Sequence, residues 1–77
     1  MAKIIVNDQT LTQVLDGAGF CFSEQPVAYY FGADATSAEA AGRIPLEQRC
    51  QMNGTNGQIM WAKSTDFPQA LVVATAE

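Results

Sequence analysis

The stretch Phe20-Cys-Phe-Ser-Glu-Gln-Pro-Val-Ala-Tyr-Tyr-Phe31 holds five of the chain's seven aromatic residues and decides how the rest is read. Phe20 and Phe22 are two apart, so an extended backbone puts them on one face and Cys21 on the other. Ser23-Glu24-Gln25-Pro26 interrupts the run, and Val27-Ala-Tyr-Tyr-Phe31 resumes it, with Val27, Tyr29 and Phe31 on one face and Ala28 and Tyr30 on the other. Aromatic and β-branched side chains suit a pleated, half-buried surface, and proline suits a turn or the first position of a strand. The segment therefore reads as two strands joined by a tight turn, closed by Gly32.

Working outward, Lys3-Ile-Ile-Val6 reads as a first strand and Asn7-Asp8 as a turn. Thr10–Leu15 is ambiguous: Leu11, Val14 and Leu15 have helical spacing, whereas Thr10 and Thr12 favour a strand. Asp16-Gly-Ala-Gly19 is a strong break. Gly32–Gly42 is rich in small residues, and Thr36 and Glu39 have the spacing of a capping box with Gly42 as the C-cap, so one short helical turn is expected inside a loop. Ile44-Pro-Leu46 reads as an edge or bend, and Gln48–Met52 alternates. Asn53-Gly54 and Asn56-Gly57 are consecutive turn dipeptides of the kind that close hairpins. Gln58–Lys63 reads as a strand, with Ile59, Trp61 and Lys63 on one face and Met60 and Ala62 on the other. After a turn at Ser64–Gln69, the nearly continuous apolar run Ala70–Thr75 suggests a last strand covered on both faces. Short strands at this spacing predict an all-β fold: a small antiparallel β-sandwich or barrel of six to seven strands with one short helical turn, residues 1–77 forming a single domain. Residues 1–7 form either an N-terminal arm, removable without unfolding the sandwich, or an edge strand.

Composition narrows the function. A chain of 77 residues has a marginal core, and domains of this size commonly gain stability from disulfides, metals or association. Hydrophobic residues make up 48%, which argues for a folded domain, while charged residues make up only 16%, which points to a surface partly covered by another protein. The net charge is −4, and the four cations Lys3, Arg43, Arg49 and Lys63 are scattered, so no phosphate-binding stripe is expected. No apolar run has the length of a membrane span, and the N-terminal residues do not read as a signal peptide, so synthesis in the cytoplasm is expected.

Histidine is absent, which removes the commonest general base. No nucleophile motif surrounds Ser23, Ser37 or Ser64, most carboxylates fall in expected turns, and Gly17-Ala18-Gly19 lacks the context of a phosphate loop. No metal or cofactor is expected: Cys21 and Cys50 have no histidine to complete a zinc site. The two cysteines read as buried thiols, with a disulfide open only if their strands bring the Cα atoms to about 5.5–6 Å. Tyr29, Tyr30 and Trp61 allow either a sugar-stacking platform or a core. Alternation favours core for Tyr29 and Trp61 and leaves Tyr30 as the exposed aromatic.

The order of the segments Val27-Ala-Tyr-Tyr-Phe-Gly32, Arg43-Ile-Pro-Leu-Glu47, Gly57-Gln-Ile-Met-Trp-Ala-Lys63 and Ala70-Leu-Val-Val-Ala-Thr75 resembles a pattern in small virion proteins of tailed bacteriophages. The resemblance covers about three quarters of the chain, through short motifs of structural type. The two cysteines, and the lack of a Glu at the immediate end of the last strand, depart from that pattern. It implies a non-enzymatic β-sandwich of the virion, most simply a capsid decoration or stabilising protein. Its partner would be the major capsid protein or another virion protein, and the chain a homo-oligomer, a trimer in a symmetric shell. A head–tail or tail component and a small carbohydrate-binding module are the alternatives. The expected interface residues are Tyr30, Arg43 and Arg49, the Asp34–Gly42 loop with Asp34, Thr36 and Glu39, and the β-augmenting segment Lys3, Ile4, Ile5 and Val6.

Overall fold

A computed structural model describes residues 2–42, 44 and 52–76. Its elements are β1 (Ala2–Asn7), β2 (Thr12–Asp16), β3 (Gly19–Phe22), β4 (Val27–Phe31), α1 (Ala35–Ala41), β5 (Met52–Gly54), β6 (Ile59–Ser64) and β7 (Gln69–Ala76). One sheet has the order β1-β7-β3-β5 and the other β2-β6-β4, every pairing antiparallel. The described residues form the expected all-β architecture, seven strands in two sheets with one short helix, where the sequence predicts six to seven strands in a sandwich or barrel.

The core between the sheets is built by strict alternation. Val6 from β1, Cys21 from β3, Tyr29 from β4, Met60 and Ala62 from β6, and Ala70, Val72 and Ala74 from β7 point inward, joined by Val14 and Leu15. Val14 and Leu15 are adjacent yet both buried, because the β2–β6 register shifts between Gln13 and Leu15. Such a bulge breaks the two-residue period, and it explains why this segment looks partly helical as a sequence.

The aromatic stretch is not the hairpin expected. Its halves, β3 and β4, belong to different sheets, and residues 23–26 cross between them. Local hydrogen bonds carry the crossing. The Ser23 hydroxyl donates to the Leu71 carbonyl (2.8 Å), the Gln25 amide N–H donates to Ser23 Oγ, and the Thr65 N–H donates to the Pro26 carbonyl. The same correction applies after β5. Asn53-Gly54 lies within β5, not in a turn, and Asn56-Gly57 turns the chain from one sheet into the other instead of closing a hairpin. There the Gln58 N–H donates to the Thr55 carbonyl and Gly57 takes φ +86°, a conformation glycine adopts without strain.

Helix α1 packs on the outside of the second sheet. Ala38 is buried against Ala28 and Tyr30, with Leu11 and Trp61 closing around them. Asp34, not Thr36, caps the helix: its carboxylate accepts from the Ser37 N–H at 2.7 Å. The expected C-cap Gly42 is in place, its N–H donating to the Glu39 carbonyl. The close approach of helix to sheet depends on Gly32, where a Cβ would lie 2.5 Å from the Ala38 nitrogen. Trp61 Nε1 donates to the Gly32 carbonyl at 2.9 Å and fixes the same corner.

The first segment is an edge strand, not a removable arm. It pairs with β7 from Ala2↔Ala74 to Asn7↔Gln69, and Val6 is fully buried. The last strand also departs from expectation. Only its Ala70, Val72 and Ala74 side is buried, and Leu71 is 38% exposed on the other.

Gly32→Ala is expected to push α1 off the sheet and to destabilise the fold by about 1–3 kcal/mol, the usual range for overpacking, measured by denaturant unfolding. Tyr29→Phe should do the opposite. The buried Tyr29 hydroxyl has no hydrogen-bond partner among the described residues. Its removal is therefore expected to leave stability unchanged or to raise it by up to about 1 kcal/mol.

Candidate functional site

The two sheets differ in what covers them. The second carries α1 over its outer surface, whereas among the described residues no helix covers the first. Because β1, β7 and β3 turn Val6, Val72 and Cys21 inward, they turn Lys3 and Ile5, Leu71 and Val73, and Phe20 and Phe22 outward. Register aligns these side chains in rows across the sheet. Ile5 lies opposite Leu71, Val73 lies between Lys3 and Phe22, and Phe20 faces Thr75.

The result is an apolar face with a charged edge. Ile5 is 57% exposed and Leu71 38%, and Phe67, at 49%, adds a third large apolar side chain on the turn that leads into β7. A shallow cleft of about 400 Å³ runs over Phe22, Leu71 and Val73 and is bordered by Lys3 and Gln25. A second cleft of about 600 Å³ continues past Gln25 to Phe67, Gln69 and Asp8. Gln25 helps hold the wall between them, its Oε1 accepting the Leu71 N–H at 2.9 Å. Exposed apolar side chains scattered singly are ordinary, but large ones gathered on one sheet face mark a contact surface.

The expected interface residues fall on two separate regions. Lys3 and Ile5 belong to the bare face, while Ile4 packs on the core and Val6 is inside it. Tyr30, expected as the exposed aromatic, is only 8% exposed beneath α1, with the Lys63 ammonium 5.8 Å from its ring centre. Asp34 is occupied as a helix cap, a bond that holds its carboxyl below the usual range, and Thr36 and Glu39 are exposed on α1. Arg43 and Arg49 lie outside the described residues, as does Cys50 and with it the disulfide question. Leu71, Val73, Phe22 and Phe67 were not anticipated. Their signal lay in β7 itself, where Ala70, Val72 and Ala74 alternate with Leu71, Val73 and Thr75, the larger set facing out.

Among the described residues the interior offers one pair of reactive groups. Burial pushes the Cys21 thiol up to about 11 from an ordinary 9.0, and burial, with the neighbouring Cys21, pushes the Tyr29 phenol above its usual value. Both are therefore neutral at physiological pH, and a neutral buried thiol is a poor nucleophile. Among the described residues no three of His, Cys, Asp and Glu gather as metal ligands.

These shifts set an alkaline limit. Folded values above the unfolded ones mean that the folded chain keeps protons the unfolded chain has released. The associated stability is whole below the unfolded values and is lost as pH rises through the folded ones. Melting temperature, followed by circular dichroism, is expected to hold steady to about pH 8.5 and to fall between about pH 9 and 11. The fall should be shallower in Cys21→Ala. No family model matches the chain, and neither the curated proteins nor the solved structures searched contain a match.

Proposed function

We propose that this chain is a non-enzymatic structural protein of a bacteriophage particle, most simply a capsid decoration or stabilising protein, acting through protein–protein contact. The observation that carries the contact role is the bare outer face of the four-stranded sheet, with Ile5, Leu71 and Phe67 exposed together. Burial of such a face against another protein supplies a driving force of about 25 cal/mol per Å² of apolar surface. A domain this small gains stability from a bound neighbour by mass action. The particle assignment itself draws on the order of segments that resembles small virion proteins, and its partner is the major capsid protein or another virion protein. A sugar-stacking role for Tyr30 and Trp61 is disfavoured, because Tyr30 is buried under α1 and the Trp61 indole is engaged with Gly32.

Quantitative mass spectrometry of particles purified from the host that carries this gene tests the proposal. Near parity with the major capsid protein is expected for a decoration protein, a dozen or so copies moves the chain to the neck or tail, and absence overturns the virion reading. Leu71→Lys, placed on the exposed side of β7, is expected to keep the circular dichroism spectrum and melting profile of the parent while losing particle association in a co-sedimentation assay.

A further inference from the structure

An open β-sandwich has four sheet edges, and three of these are blunted. Strand β5 is only three residues long. Strand β2 carries the bulge between Gln13 and Leu15. At β4 the Ile44 N–H donates to the Tyr29 carbonyl at 2.9 Å, so the chain returning from α1 occupies that edge. Short length, bulges and coverage are among the devices by which folded proteins keep sheet edges from pairing, as is an edge lysine. Strand β1 has none of the first three, and its one charge, Lys3, finds a complement in the pairing described below. Its sequence Ala-Lys-Ile-Ile-Val-Asn lacks Pro and Gly, its six residues pair with β7 in unbroken register, and no backbone bond to its outer edge is found among the described residues.

The hydrogen bonds of β7 reveal which groups β1 presents. The Leu71 N–H and carbonyl are bound by Gln25 and Ser23, on the side of β7 away from β1. In an antiparallel pair, opposite residues either exchange both bonds or exchange none. Ile5, opposite Leu71, therefore directs its own N–H and carbonyl away from β7, toward the open edge. By the two-residue period Lys3 and Asn7 do the same.

We infer that β1 is a homodimerisation edge: two copies pair β1 with β1 antiparallel about a twofold axis at Ile5, forming one continuous eight-stranded sheet. In this register Ile5 exchanges both backbone bonds with Ile5 of the second copy, and Lys3 exchanges them with Asn7. The charge pattern is self-complementary about the same point. Lys3 lies two residues before Ile5, Asn7 two residues after it and Asp8 one further, so each Lys3 meets Asn7 and the adjoining Asp8 of the other copy. Within one copy Lys3 and Asp8 are five residues apart on an extended segment, roughly 15 Å, too far to pair. The axis is normal to the sheet, so both apolar faces lie on the same side, and Leu71, Ile5, Ile5 and Leu71 form one strip across the junction. The contact is isologous and closes at two, which differs from the trimer that the resemblance implies.

Sedimentation equilibrium on the full chain tests this without reference to any particle, so the inference and the virion reading fail separately. The weight-average mass is expected to climb from 8.3 kDa in dilute solution toward twice that value as concentration rises. Ile5→Pro removes an N–H that faces the open edge and not β7, and should raise the dissociation constant by about tenfold or more, a loss of about 1.4 kcal/mol of association. Lys3→Glu should weaken the dimer, and Lys3→Glu combined with Asp8→Lys should restore it with no change in the monomer's melting profile. A chain that stays at 8.3 kDa up to about 500 µM, above the micromolar affinity of the weaker standard-size interfaces, overturns the inference. So does a dimer that survives Lys3→Glu undiminished, or one that the double substitution fails to rescue.

Discussion

Where β3 leaves its sheet at Ser23, β7 continues, and the backbone of Leu71 is left with an N–H and a carbonyl that no strand on that side can satisfy. The Gln25 and Ser23 side chains supply the missing partners. Everything distinctive about the molecule depends on this substitution of side chains for a strand. It lets β3 stop after four residues and lets the chain cross to the second sheet. It also frees β7 to serve as the partner of β1 and fixes which way the Ile5 backbone groups point. Losing these two bonds would cost about 0.5–1.5 kcal/mol each, the net worth of a hydrogen bond at a site open to water, which is still a sizeable share of what so small a domain can hold.

The second constraint is the asymmetry of covering. Ala-rich α1 can lie flat on the second sheet because Gly32 and Ala38 offer no bulk at their contact. The first sheet has no such element among the described residues, and its outward set is the bulkier one. The molecule is thus two-sided: one sheet is sealed by its own helix, and the other remains open to a second surface.

Strand positions and inside–outside alternation were legible in the sequence, because each is a local property of successive residues. The short helix was legible too, although Asp34 won the capping position from Thr36, an aspartate just outside the helix being as good an acceptor as a threonine. Pairing was not legible. Phe20–Phe22 and Val27–Phe31 look like hairpin arms because a four-residue break can either reverse a strand or carry it to a second sheet, and only the remote partners Leu71 and Thr65 decide which. The Asn-Gly dipeptides failed for the same reason, since a tight turn specifies a change of direction and not the sheet the next strand joins. The open face went unread because a nearly continuous apolar run reads as buried on both sides, and the one mark against that is the alternation of Ala70, Val72 and Ala74 with the bulkier Leu71 and Val73.

The pairing of β1 with β7 also shapes how the molecule is made. These are the first and last strands along the chain, and β7 is the middle strand to which both β1 and β3 attach. Until β7 has left the ribosome, β1 has no partner, β3 has only the short β5, and the inward faces of both strands are bare. Formation of the four-stranded sheet therefore waits for β7 and is dominated by contacts distant in sequence, the topology that folds slowly and leaves strand edges exposed longest. While the eight residues of β7 are unmade, the inward faces of β1 and β3 are the surfaces open to misassociation.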